Sequence, residues 1–346
     1  MKKYPPIFYA VCLLIILLVT AVFSVGVGVF SFQNGNAYQV FWKYISGNPE
    51  LLPSEKYIIW DVRASRIVMA ILIGSMLAFC GTLLQGMFKN PLATSDLIGL
   101  NAGATLMASI AIVLGHTFRS YLPEIVNHSL VSFSAFFGAL LAMILVHRIS
   151  TNGGKTNVVV MLLTGVALTA IGFAVTGFLI YISKDDQLRD LTFWNLGSLA
   201  GATWTKNVVL AVILVVSYGI LIRKGKTLNA MMLGEKEAQH LGIRVESTKR
   251  KIMFLTALMT GTCVAFSGTI GFVGLIVPYI LRFVFRSDYQ YILPLSAIFG
   301  SILLLLADTL SRTLVAPSEL PIGILTALMG GPVFIAILLK FKKSMR

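Results

Sequence analysis

Residues 252–286 read IMFLTALMTGTCVAFSGTIGFVGLIVPYILRFVFR, and the way this stretch is divided decides the fold. As a single helix it would be a rod of roughly 50 Å at about 1.5 Å per residue, against a hydrocarbon core of about 30 Å. Ser267-Gly268-Thr269, followed by Gly271, Gly274 and Pro278, supplies residue types at which helices stop and chains fold back. The stretch therefore predicts two helices joined at the glycines.

Working outward, apolar runs of membrane length recur at approximately 7–30, 66–88, 98–115, 130–147, 157–182, 205–223, 291–311 and 320–340, each near the 20 residues a crossing needs. With the divided stretch they give ten spans. The composition agrees with a membrane-integral, all-α chain: 57% of the 346 residues are hydrophobic and 12% charged, where soluble proteins carry about a quarter charged residues. Lys2 and Lys3 before an apolar run look like a secretory signal. The run exceeds the roughly 7–15 residues of a signal core, however, and no small-x-small site follows it, so it reads as a retained first helix.

The net charge of +14 is spread in short blocks between apolar runs, which points to membrane topology and not to nucleic acid. With ten spans and both termini inside, about nineteen of the 28 Lys and Arg fall on the cytoplasmic side, as the positive-inside rule requires. Without the turn at the glycines, Arg282, Arg286 and the basic tail would all move outside.

The longest inner loop spans residues 224–251. Within it, LNAMMLGEKEAQHLGIRV (228–245) places Leu228, Met231, Met232, Leu233, Glu235, Ala238, Gln239 and Leu241 on two short helices broken at Gly234 and Gly242. Apolar surface beside Glu and Lys suits docking into a groove on another protein. The alternative is an amphipathic helix on the lipid surface, against which Glu235 and Glu237 speak because anionic headgroups repel carboxylates.

On the outer side, Arg63 and Arg66 are three apart at the start of the second span and share a face, and Arg312 ends the ninth. Composition alone reads all three as snorkelling interfacial anchors. Asp308, inside LLLLADTLSRT, is placed to pair with Arg312 four residues on and so to orient its guanidinium. Cys12, Cys80 and Cys263 lack any C-x-x-C spacing and read as small core residues. His116 and His128 read as solvated loop side chains. The frequent small residues, among them Gly74, Ala78, Gly81, Gly86, Gly103 and Gly138, suit close helix packing in lipid, with no single glycine assigned a role.

Several chemistries are excluded. GGKT at 153–156 lacks the first glycine of a phosphate loop, since position 149 is Ile149, and no strand precedes it. There is no H-E-x-x-H and no G-x-S-x-G. Neither a catalytic chain nor a resident metal or cofactor is expected. A gradient-driven transporter would need ionisable groups near the midplane, where this sequence has almost none.

The chain resembles the permease subunits of bacterial ABC importers for iron-siderophore complexes, haem and cobalamin. The resemblance covers nearly the whole chain: RASRIVMAILIGSMLAFCGTLLQGMFKNPLATSDLIGLNAGA from Arg63, DLTFWNLGSLAGATW from Asp190, LNAMMLGEKEAQHLGIRV, GTIGFVGLIVPYILR from Gly268, and LADTLSRT followed by ELPIGILTALMGGPVFIAILL. It implies a single transmembrane permease domain with the type II importer fold, in the bacterial cytoplasmic membrane. The implied partners are a second permease subunit, identical or paralogous, a cytoplasmic ATPase dimer and an outer substrate-binding protein. An iron-siderophore is the expected cargo, with haem or cobalamin as alternatives. The resemblance further implies that residues 228–245 form the coupling helices seated in the ATPase, and that Arg63, Arg66 and Arg312 pair with glutamates of the binding protein. The chain departs from the family's pattern at Ala64-Ser65, where Leu-Pro is common, and at Tyr279, where many relatives have His.

Overall fold

The computed structural model describes the backbone of residues 6–47, 51–115 and 124–344. In chain order the helices are α1 (Pro6–Gly26), α2 (Ala37–Ile45), α3 (Pro53–Phe88), α4 (Leu100–Val113), α5 (Glu124–Ser150), α6 (Val158–Ile182), α7 (Asp185–Leu196) and α8 (Trp204–Leu221). They continue with α9 (Gly225–Leu233), α10 (Glu235–His240), α11 (Val245–Ser267), α12 (Val273–Phe285), α13 (Tyr289–Ser311) and α14 (Ile322–Ser344). Between α5 and α6, β1 (Thr151–Asn152) and β2 (Lys155–Thr156) pair antiparallel.

Among the described residues, seven helices are long and apolar enough to cross a membrane. α4 and α12 are apolar but have only 14 and 13 residues, and α11 opens on the charged run Glu246 to Lys251. The long apolar stretch around Gly268 is divided in the structure. α11 stops at Ser267, Gly268 (φ 67°) turns the chain, and α12 restarts after Phe272 (φ 66°). Pro278, expected at this turn, instead lies inside α12. A proline there has no N–H for the carbonyl four residues back, and Gln85 Nε2 donates to the freed Gly274 carbonyl at 3.1 Å.

α3 and α13 form the centre, with 83% and 78% of their most apolar windows buried, whereas α1, α6 and α8 bury only 11%, 17% and 22%. The outer helices thus keep apolar faces for lipid or for a second subunit. α3 packs along α13, α12, α11 and α8, while α4 packs on α5 and α6. The close approaches are made at glycines: Gly81 of α3 lies against the backbone of Gly274, and Gly74 against Gly300 of α13. A side chain at either contact would collide with backbone, which cannot rotate away as a side chain can. Gly81→Leu is expected to abolish the folded subunit in detergent size-exclusion profiles, whereas Gly219→Leu, which meets nothing within 4 Å, leaves the profile unchanged.

Several boundaries differ from expectation. α3 begins at Pro53 and not near Arg66, because Pro53 takes the first helical position and a π-helical turn over Tyr57–Ala64 carries the helix onward. At 36 residues it is roughly 54 Å long, so its first turns project beyond any hydrocarbon core. They are covered by α2, whose Ala37 and Val40 bury against Leu51 and Ile59. Trp60 stacks between Tyr44 and Trp204. Glu55 fixes the preceding loop by accepting from the backbone of Gln33 and Asn34. The 183–203 stretch, read as an outer loop, contains α7. His128 lies within α5, not in a loop, and His116 lies outside the described residues.

Candidate functional site

Two charged clusters sit at two levels of α3. Arg66 lies just past the π-helical turn at Tyr57–Ala64, while Gly86, at the far end of the helix, packs on Leu228 and Tyr289. Twenty residues of helix separate them, roughly 30 Å, which is the thickness of a hydrocarbon core.

The first cluster is built on the loop after α8. Gly234 (φ 146°) and Gly242 (φ 80°) break it into α9 and α10, and only glycine adopts the Gly234 conformation without strain. The apolar residues of this loop divide into two sets. Leu228, Met231 and Ala238 are fully buried in the chain's own core, so the docking surface expected of them is not theirs to offer. Met232, Leu233 and Leu241 remain 38%, 74% and 66% exposed. Burying Leu228 and Met231 anchors the loop to the bundle; the exposed leucines form the face left for something else.

Behind the loop lies a charge that the sequence did not single out. Lys249 of α11 is 1% exposed, and its ammonium donates to Glu235 Oε2 at 2.8 Å, to Glu246 Oε1 at 3.2 Å and to the Thr156 carbonyl at 3.1 Å. Three donors meet three acceptors, which is the full capacity of a lysine. Glu246 Oε2 in turn accepts from the Thr156 amide at 3.0 Å. Thr156 belongs to the β-hairpin, whose tip Gly153-Gly154 has φ of 56° and 77°, the two left-handed residues of a type I′ turn. The GGKT stretch is therefore part of a hairpin at the foot of α6, preceded by the two-residue strand β1 where no strand was expected. Lys249 sits in the charged run VESTKRK, where the Glu246 to Lys249 spacing of three is its one local signal.

Next to this cluster, a cavity of about 480 Å³ is lined by Gln85, Lys89, Met232, Arg282 and Tyr289 among others. Arg282 Nη2 donates to Gln85 and to the Tyr289 hydroxyl. The chain Arg282–Gln85–Gly274 thus links α12 to the end of α3 on both sides of Pro278. Gly271, in the break before α12, has open space around its Cα.

The second cluster gathers the three arginines. Arg63, Arg66 and Arg312 are 5%, 6% and 7% exposed, so their forks point inward and not to the surface expected of docking groups. Asp308, fully buried, accepts from Arg66 Nε at 2.9 Å, and its other oxygen lies 3.2 Å from Arg312 Nε, outside hydrogen-bond alignment. Arg66 Nη1 reaches both Glu319 oxygens at 2.9 Å. Arg312 Nη2 donates to Ser24. Arg63 leaves this group: Nη1 donates to the Val25 carbonyl and Nη2 to that of Phe30, and its guanidinium lies over Phe32. Two cations and two carboxylates compensate each other at the core of the cluster, while Arg63 staples the chain after α1. Sequence spacing reaches the Asp308 and Arg312 pair; it does not reach Arg66, which lies 242 residues from Asp308 and 253 from Glu319.

Residues 14–340 match the FecCD transport family. The hemin transport system permease protein HmuU of Yersinia pestis is 36% identical over 333 residues, covering 96% of this chain and 95% of the relative. The molybdate import system permease protein MolB of Haemophilus influenzae is 32% identical, with 99% and 98% covered. A solved metal-chelate type ABC transporter in an inward-facing conformation superposes with a TM-score of 0.81 at 31% identity, covering 97% of this chain and all of that one. The chain belongs to the FecCD transport family and is a permease subunit of an ABC importer.

Proposed function

We propose that this permease carries an iron-siderophore complex across the bacterial cytoplasmic membrane, with both termini and the 224–251 loop inside and with ten crossings. Two copies, or this chain and a paralogue, enclose the pathway. Residues 228–245 are the joint to the ATPase. The observation that carries this reading is the exposure of Leu233 and Leu241 on a charged segment held against the bundle by Leu228 and Met231. A solvated loop gains nothing from presenting two leucines, whereas a partner's cleft would bury them, each worth about 1.5–3 kcal/mol. Closure of the ATPase pair would then move the segment and bias the bundle between outward and inward access.

Relatives at similar identity are named for hemin, cobalamin and molybdate, so overall similarity does not select the cargo. The siderophore reading rests on the breadth of the family and is tested by uptake. Proteoliposomes holding the permease, its ATPase and its binding protein should accumulate radiolabelled ferric siderophore only with ATP. Uptake of haem or cobalamin in its place would change the cargo. Uptake that persists without ATP and stops with an uncoupler would replace the importer with a gradient-driven carrier.

The Arg63, Arg66 and Arg312 cluster is proposed to lie beneath the seat of the binding protein. Its exposed carboxylate, Glu319 (side chain 43% exposed), covers Arg66, so a docking glutamate would reach Arg66 by displacing Glu319. Arg66→Gln then weakens binding-protein capture, and Glu319→Gln strengthens it, in pull-down titrations. If neither variant changes capture while Arg66→Gln lowers thermal stability, the arginines serve the fold alone.

A further inference from the structure

The joint proposed above needs a route from the loop to the helices, and the structure contains a specific one. α9 touches the bundle through buried apolar residues and through Asn229, which donates to Asp288 and accepts from the Tyr289 amide, whereas a buried charge joins α10 to a different part of the chain. Lys249 holds Glu235, the first residue of α10, with one donor and the Thr156 carbonyl of the hairpin with another. Glu246 closes the ring by accepting from both Lys249 and the Thr156 amide. Asn157, the next residue, caps α6 by accepting from the amides of Val159 and Val160. The path from the loop to α6 is thus continuous: Glu235, Lys249, the Thr156 backbone, Asn157, Val158. α6 is also one of the helices with least burial in its own subunit, hence one that a pull at its foot can move with few internal contacts to break.

We propose that Lys249 is a positioning residue that fastens the coupling segment to the hairpin, so that movement of the segment is delivered to α6. This rests on the reading of residues 228–245 as the ATPase joint. A hydrophobic contact could slide, whereas a buried ammonium bonded to two carboxylates and a backbone carbonyl fixes distance and direction together.

The test uses the assembled transporter with spin labels on cysteines at exposed Lys155 and exposed Lys236. With Lys249 present, the distance between the labels should stay the same in the nucleotide-free and ATP-bound states. In Lys249→Met it should broaden and change between states, and substrate carried per ATP hydrolysed should fall about tenfold while ATP hydrolysis itself persists. A purely stabilising role would lower thermal stability and leave that ratio unchanged, which overturns the proposal. Should Lys249→Met not fold, Glu235→Ala removes the acceptor and cuts the same path on its partly exposed side; an unchanged ratio and an unchanged distance there also overturn it. Crosslinking of the Lys236 position to the ATPase separates the two ideas. Without a crosslink the joint reading fails, and the distance measurement still decides the Lys249 link.

Discussion

Asp308→Ala will cost the folded subunit about 3–5 kcal/mol, the range for removing one partner of a buried ion pair. Asp308 has no exposed surface, and the Arg66 and Arg312 side chains beside it are each 8% exposed. Removal of the carboxylate leaves two guanidinium groups facing each other at the end of membrane-length helices, with Glu319 as the remaining anion. Glu319→Ala will cost about 0–1 kcal/mol, because its side chain is 43% exposed and water can replace it. Thermal unfolding of the purified subunit in one detergent compares the two directly. Equal losses would mean that Asp308 is not the centre of the cluster. This separates a structural role for the buried carboxylate from any docking role for the arginines around it.

Leu233→Glu combined with Leu241→Glu will release the ATPase. Each leucine is mostly exposed in the free subunit, so the substitutions cost the permease's own fold little. Taking both from a covered state would lose about 3–6 kcal/mol, a weakening of more than a hundredfold. The ATPase should fail to copurify with the double variant while the permease elutes as before. Leu228→Glu should behave in the opposite way and unfold the loop itself, because Leu228 is fully buried. Copurification that survives the Leu233 and Leu241 changes would move the docking face elsewhere.

What could be read from the sequence follows the range of each signal. The division of residues 252–286 is local: length, glycines and charge balance all act within one stretch, and α11 and α12 meet at that break. The breaks at Gly234 and Gly242 are local as well, since each requires a positive φ. The Asp308 to Arg312 spacing is a helical i, i+4 relation and is present as an ion pair. Burial on a two-sided element is not local. Leu228, Met231, Met232 and Leu233 look alike in sequence, and only the packing of α9 against the ends of α3 and α13 decides which of them the chain covers itself. The long-range bonds are beyond reach for the same reason: Arg66 to Asp308 joins two helices, and Lys249 to Thr156 joins a helix to a hairpin, whose pairing no periodicity states. The inward turn of the three arginines follows from those unseen partners. Asn152-Gly153-Gly154 carries the signature of a two-residue hairpin, a local meaning independent of the phosphate-loop pattern that the stretch fails to match.

The most direct test of the account places one reporter at Leu233 in intact cells. A photocrosslinking residue there should join the permease to its ATPase, and a cysteine at the same position should resist a membrane-impermeant maleimide until the membrane is opened. A cysteine that reacts from outside in sealed cells, with no adduct to the ATPase, would contradict the topology and the joint together.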